Sequence, residues 1–123
     1  TRTFAVLALI AVAAFASGCG QGVSVPANTE AGVGAQVFAE KCGGCHTISY
    51  AGTQGSKPTS DVNSKDRTNG PNFDQRKEDY QSAITSIRQG GFFGAIMPGN
   101  IVTGAEAKSV ATFLAKYSGR NPD

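Results

Sequence analysis

The residues best suited to chemistry lie together in KCGGCHT, residues 41–47. This stretch contains Cys42, Cys45 and His46, which are two of the three cysteines and the only histidine of the 123-residue chain. Thiols and an imidazole at this spacing can bind a metal, exchange disulfides or attach a prosthetic group. The remaining sequence must decide among these possibilities and supply the elements that position the three side chains.

Each of the three chemistries makes a different demand on the sequence. A structural zinc site usually needs four Cys or His ligands, which is more than the motif supplies. A thiol–disulfide exchanger usually places Cys-x-x-Cys after a strand, whereas here the motif follows a predicted helix. In the third chemistry, Cys42 and Cys45 form thioethers with haem vinyl groups and His46 becomes an axial iron ligand. The sequence favours covalent haem and leaves the other two as minor alternatives.

The only methionine, Met97, lies in the segment AIMPG between two predicted helices. Methionine often fills gaps in a core, but it is also a common second axial ligand of haem iron and raises the reduction potential. Pro98 stiffens the turn that follows it. We therefore predict His46 and Met97 as the two iron ligands.

The N-terminal segment has the composition of an export signal. Residues 4–16 form an apolar run of 13 residues, shorter than the about 20 needed to span a bilayer and within the roughly 7–15 of a signal-peptide core. Arg2 precedes the run, and the last residue of the run, Ala16, begins the sequence Ala-Ser-Gly-Cys at residues 16–19. This ending resembles a bacterial lipoprotein cleavage box, although Ala16 stands where leucine is usual. We predict that residues 1–18 are a signal peptide and that Cys19 is lipidated.

The alternative is an uncleaved anchor in which Cys19 has no special role. In both cases we expect an extracytoplasmic, membrane-anchored protein, on the periplasmic side or on a Gram-positive cell surface. If Cys19 carries lipid, Cys42 and Cys45 are left as a pair, which accounts for an odd number of cysteines in an exported chain.

The rest of the chain predicts an all-α domain at residues 32–123, joined to the anchor by a flexible tether at residues 19–31. Three helices are expected, over residues 31–42, 78–89 and 104–117. A polar loop at 50–70 and an apolar loop at 92–100 connect them, and no convincing strand is present.

Each predicted helix has apolar residues at helical spacing. These residues are Val33, Val37 and Phe38 in the first helix, Tyr80, Ile84 and Ile87 in the second, and Val110, Phe113, Leu114 and Tyr117 in the third. Thr103 and Glu106 fit a capping box at the start of the third helix. The glycines at 90–91 and Gly119 would end the second and third helices.

The composition argues against nucleic-acid binding and against strong electrostatic steering. The net charge is +2, with no basic run and no glycine-rich phosphate loop. Without residues 1–18 the charge is about +1, and two ionised haem propionates would bring it to about −1. We expect a monomer whose docking relies on apolar surface, with residues 92–96 as candidates.

The order of the motifs resembles a class I cytochrome c of the small bacterial, monohaem kind. The matching segments are GAQVFAEKCGGCHT (34–47), GPNF (70–73), GAIMPGN (94–100) and the last helix to Tyr117. The resemblance implies three main helices and loops wrapped around one covalently bound haem. It also implies a crossing of the first and last helices, with Gly34 and Phe38 facing Phe113 and Tyr117.

The resemblance further implies that the Pro71 carbonyl accepts a hydrogen bond from the His46 ring, which would orient the ring and raise its basicity. Phe73 departs from the family pattern, in which leucine is usual. Candidate partners for the haem propionates are Arg76, Arg88 and Tyr80.

The function implied is that of a membrane-tethered one-electron carrier without catalytic residues. Its expected partners are membrane redox complexes, with a quinol-oxidising donor and a terminal oxidase or reductase as acceptor. The alternatives are a dedicated electron-transfer subunit of a larger oxidoreductase, and a haem enzyme or gas sensor with an open iron position.

Overall fold

The computed structural model describes residues 22–56, 70–91 and 96–120 of the chain. Within these ranges the fold is mostly helical, with α1 at Glu30–Lys41, α2 at Tyr80–Gln89 and α3 at Gly104–Tyr117. Two short antiparallel strands, β1 at Thr47–Ile48 and β2 at Thr53–Gln54, flank a 3₁₀ turn. The sequence did not predict these strands because two residues are too short to show a period of two. The predicted signal peptide at 1–18 and Cys19 lie outside the described residues.

Helix α1 begins at Thr29, whose hydroxyl accepts a hydrogen bond from the amide of Gly32 at 3.0 Å. Its buried residues are Ala31, Gly32, Gly34, Ala35 and Phe38, and the C-cap residue Cys42 is buried too. The prediction that Val33 belongs to the buried face is wrong, because 48% of Val33 is exposed. Val33 lies on the opposite side of the helix from the small residues Gly34 and Ala35, which are buried.

The close neighbour of α1 is α3, and Gly34 lies at the point of contact. A Cβ atom on Gly34 would overlap the carbonyl oxygen of Ser109 and lie 2.9 Å from the amide nitrogen of Val110. Phe38 packs edge-on against Phe113, with ring centroids 5.7 Å apart. These contacts confirm the predicted crossing through Gly34, Phe38 and Phe113.

The ring of Tyr117 packs against two other aromatic rings. It packs against Tyr50, at 4.8 Å between centroids, and against Phe113 within its own helix at 5.7 Å. Tyr117 therefore connects α3 to the 3₁₀ turn.

Helix α2 packs on α3 through Ala83, Ile84 and Ile87, which are buried. Tyr80 was predicted to share this face, but it is 40% exposed because it occupies the first turn, where the helix leaves the core. The helix begins after Asp79, whose carboxylate accepts a hydrogen bond from the amide of Ser82 at 2.9 Å. It ends at Gly90, with φ of +78°.

Helix α3 buries Val110, Phe113 and Leu114 as predicted. The predicted capping box is wrong, since Thr103 is the N-cap residue but its side chain makes no capping hydrogen bond. The next residue, Gly104, has φ of +55°, so the chain enters the helix through a left-handed position instead of the usual capping geometry.

The segment before α1 packs on the domain. Val25 is 5% exposed, and the amide of Ser24 donates to the carbonyl of Tyr50 at 2.8 Å. Within the predicted tether, Val23 and Val25 pack against the core, whereas residues 26–30 are exposed. One buried valine and one backbone hydrogen bond leave no periodic signal in a sequence. Among the helices in the described ranges, none is long and apolar enough to cross a membrane.

Candidate cofactor site

A cavity of about 540 Å³ lies between the end of α1, α2, α3 and the loops that follow the Cys-x-x-Cys-His motif and α2. The volume is in the range of ligand-binding pockets in proteins, about 300–1,000 Å³. The cavity is lined by all five residues that the sequence predicts to contact the cofactor. These are Cys42, Cys45, His46, Pro71 and Met97.

Most of the other lining side chains are apolar and come from all three helices. They are Phe38 from α1, Ala83 and Ile87 from α2, Val110 and Leu114 from α3, and Phe73, Ile96 and Ile101 from loops. A cavity with apolar walls and polar groups at few points suits a large, flat, mainly apolar ligand.

The turn after α1 places the two thiols and the imidazole on the cavity. The amides of Cys45 and His46 both donate to the carbonyl of Cys42, at 3.1 and 3.0 Å. This turn brings three chemically active side chains to the cavity from five consecutive residues.

Cys42 is buried and Cys45 half-buried, and the two form no disulfide with each other. Burial, and to a lesser extent the neighbouring Cys45, raise the pKa of Cys42 to about 11. Disulfide exchangers need a thiol whose pKa is lowered so that the thiolate is present near neutral pH. The environment of Cys42 has the opposite effect, which argues against the exchange interpretation.

His46 is buried and is held by the segment at residues 70–73. Its Nδ1 lies 3.1 Å from the carbonyl oxygen of Pro71. Burial lowers the pKa of His46, with the hydrogen bond to Pro71 as a smaller opposing influence. A neutral imidazole that donates from Nδ1 keeps the lone pair of Nε2, the form in which histidine binds metals.

Gly70 allows this segment to approach the ring. A Cβ atom at Gly70 would lie 2.5 Å from Cε1 of His46 and 2.6 Å from the carbonyl oxygen of Cys45. Any side chain here would push the segment away and lengthen the hydrogen bond from His46 to Pro71.

Met97 is half-buried and lies on the cavity wall beside Gly90 and Gly91. The amide of Asn100 donates to the carbonyl of Ile87 at 2.7 Å, which fastens the far end of this loop to α2. Ile96, the preceding residue, is 54% exposed. Residues 92–95 of the predicted docking loop lie outside the described residues.

Three charged residues also line the cavity, Lys41, Arg76 and Glu78. Arg76 was a candidate propionate partner, and its Nε lies 3.5 Å from a carboxylate oxygen of Glu78. Glu78, which the sequence did not single out, is buried. Arg88 and Tyr80, the other two candidates, are exposed and are not among the residues that line the cavity.

Comparison with known proteins decides which family has this arrangement. The family model for cytochrome c matches residues 32–118. The chain belongs to the cytochrome c family. The fold also resembles the crystal structure of the c-type cytochrome SorU from Sinorhizobium meliloti, with a TM-score of 0.52 and 24% sequence identity over 74% of this chain and 93% of that one. No curated protein sequence matches the chain significantly.

As a cytochrome c, the protein has covalently bound haem c with its iron as cofactor, and its chemistry is electron transfer. The expectations of a cytochrome c fold with three helices and of haem c are thus confirmed. The residues present fit the group. The cavity combines two cysteine thiols, an imidazole and apolar walls, which are the groups and surroundings that a covalent haem requires.

Proposed function

We propose that this cytochrome is a class I, monohaem one-electron carrier whose iron is bound by His46 and Met97. The observation that supports this most strongly is the convergence of Cys42, Cys45, His46 and Met97 on one apolar cavity. The bound haem supplies an iron that is oxidised and reduced by one electron.

Each protein group has a separate role in this proposal. Cys42 and Cys45 would hold the cofactor through thioethers, and His46 and Met97 would bind its iron. The carbonyl of Pro71 keeps the proton of the imidazole on Nδ1 and so directs Nε2 toward the metal. The apolar walls exclude water, and this favours the less charged ferrous state.

The exposed Ile96, next to Met97, supports docking through apolar contacts at the cavity. With a small net charge, long-range steering of partners is weak. The partners that we propose are a quinol-oxidising complex as donor and a terminal oxidase or reductase as acceptor. The cytochrome acts as a monomer.

We also propose that Cys19 carries a lipid that anchors the cytochrome to the outer face of a membrane. Since packing of the chain on the domain begins by Val23, the four residue steps from Cys19 span at most about 14 Å. Such an anchor confines the domain to the membrane surface and raises its effective concentration near membrane partners.

Spectra of the holoprotein in both oxidation states, with and without carbon monoxide, test the carrier proposal. A carrier with both axial positions occupied is expected to be low-spin in both states, to take up one electron per molecule in a redox titration and not to bind carbon monoxide. A high-spin component that binds carbon monoxide would instead support an open-iron enzyme or sensor. Copurification with a larger oxidoreductase in fixed stoichiometry would indicate a dedicated subunit.

Intact mass of the protein extracted from membranes tests the anchor. We expect a chain that begins at Cys19 with added acyl mass, and a Cys19→Ser variant that is not processed at this site. Retention of residues 1–18 in the native membrane form would contradict lipidation and support an uncleaved anchor.

A further inference from the structure

The ring of Phe73 stacks on the imidazole of His46. The two ring centroids are 5.1 Å apart and the planes differ by 21°. Phe38 contacts the imidazole from another side, at 6.1 Å and 55°. Phe73 is 7% exposed, so this stacked pair is shielded from bulk water.

Two backbone hydrogen bonds hold Phe73 at this position. Its amide donates to the carbonyl of Thr47, and its carbonyl accepts from the amide of Gly119, both at 2.7 Å. Thr47 directly follows His46, and Gly119 lies in the turn that ends α3. These two bonds fix the backbone of Phe73 relative to the residue that follows His46 and to the end of α3.

The segment at residues 70–73 thus contacts the imidazole at its edge and on its face. The carbonyl of Pro71 accepts from Nδ1 at the edge. A single hydrogen bond leaves the ring free to rock about the donor–acceptor axis. A phenyl ring stacked at 21° to the imidazole restricts that freedom and keeps water from competing for the Nδ1 proton.

We propose that Phe73 is a positioning residue for His46, which sets the plane of the axial imidazole and protects its hydrogen bond to Pro71. The inference rests on the proposed role of His46 as iron ligand. The orientation of an axial imidazole determines how its π orbitals meet those of the iron, and the Nδ1 hydrogen bond controls its basicity. A phenyl ring that only filled the core would affect neither property.

Phe113 provides a matched control for this distinction. Phe73 and Phe113 both pack edge-on against Phe38, at 6.0 and 5.7 Å, and both are buried. Phe113 makes no ring contact with His46 and does not line the cavity. Replacing either by leucine removes a similar amount of aromatic packing, but only one replacement removes the stack on the imidazole.

The test compares holoprotein of Phe73→Leu, Phe113→Leu and wild type with ¹⁵N-labelled histidine. The ferric g values report the ligand orientation, and exchange of the Nδ1 proton in the ferrous state reports its protection. For Phe73→Leu we expect changed g values and exchange about tenfold faster relative to the helix amides, since local opening is easier. For Phe113→Leu we expect lower thermal stability with wild-type g values and wild-type relative exchange. If Phe73→Leu does not fold, Phe73→Met takes its place in the comparison.

Two results would overturn the inference. Wild-type g values and exchange in the Phe73 variant would show that the ring is only core packing. Equal changes in both variants would show general loosening of the domain. Absence of a hyperfine coupling between labelled histidine and iron in the wild type would instead refute the proposed ligand role of His46, which is a separate and recognisable outcome.

Discussion

Replacing Gly34 with alanine tests the closest helix contact in the structure. A methyl group at this position would overlap the carbonyl oxygen of Ser109 and come within 2.9 Å of the amide nitrogen of Val110. Both atoms belong to the backbone of α3, so no side-chain rotation can relieve the overlap. Normal contact requires the two helices to separate by roughly 1 Å or more.

Two effects of opposite sign determine the outcome. Alanine in place of glycine favours an isolated helix by about 1 kcal/mol, whereas overpacking of a rigid contact costs about 1–3 kcal/mol and occasionally more. Because α3 cannot yield locally, we expect the upper part of that range and a net loss of about 2 kcal/mol. For a domain of this size, such a loss lowers the melting temperature by roughly 8–16 °C.

The assay is thermal unfolding of the holoprotein followed by far-ultraviolet circular dichroism. Gly22→Ala is the control, because a Cβ atom at Gly22 meets nothing within 4 Å. It should unfold at the wild-type temperature. A Gly34→Ala variant that is as stable as wild type, or more stable, would show that helix propensity dominates and that α1 and α3 do not touch at this point.

Three further predictions concern pH, a buried hydroxyl and the cofactor linkage. Burial lowers the pKa of His46 in the folded protein, so as the pH falls the histidine of the unfolded chain is protonated first. The unfolding free energy should therefore fall as the pH drops below 6.5, the ordinary pKa of histidine. An unfolding free energy that does not change across this pH range would contradict the prediction. Ser118→Ala should lower the unfolding free energy measured by chemical denaturation by about 1–3 kcal/mol, because it leaves the amide of Glu78 without its acceptor at 2.8 Å. Ser24→Ala, at an exposed position, is the control and should leave the unfolding free energy unchanged. Acid–acetone extraction should leave the colour with the wild-type protein and remove it from a variant that lacks both Cys42 and Cys45.

The site residues could be predicted from the sequence because covalent chemistry restricts them to few residue types at fixed spacing. Two thiols and an imidazole in five residues have few uses, and Met97 is the only thioether available. The hydrogen bond from His46 to Pro71 and the crossing at Gly34 followed from the family resemblance, and the geometry of both is present in the structure.

The predictions that were wrong concern residues whose environment is set by tertiary contacts and not by the local sequence pattern. Val33 was assigned to the core because it is apolar, but the face of α1 that meets α3 is formed by small residues such as Gly34 and Ala35, and Val33 is exposed. Thr103 and Glu106 have the spacing of a capping box, yet the positive φ of Gly104 redirects the chain. The stack of Phe73 on His46 joins residues 27 positions apart through a loop, and no periodicity in a single sequence reports such a contact.

The weak long-wavelength absorption of sulfur-ligated ferric haem is the most direct test of the proposed coordination. We expect this band in the wild type and in Ile96→Ala, which changes the neighbouring residue only. Met97→Ala should lose the band, bind carbon monoxide in the ferrous state and have a lower reduction potential, because a thioether ligand favours ferrous iron. A wild-type protein without the band, or a Met97→Ala variant unchanged in all three properties, would contradict His46–Met97 ligation and with it the carrier function.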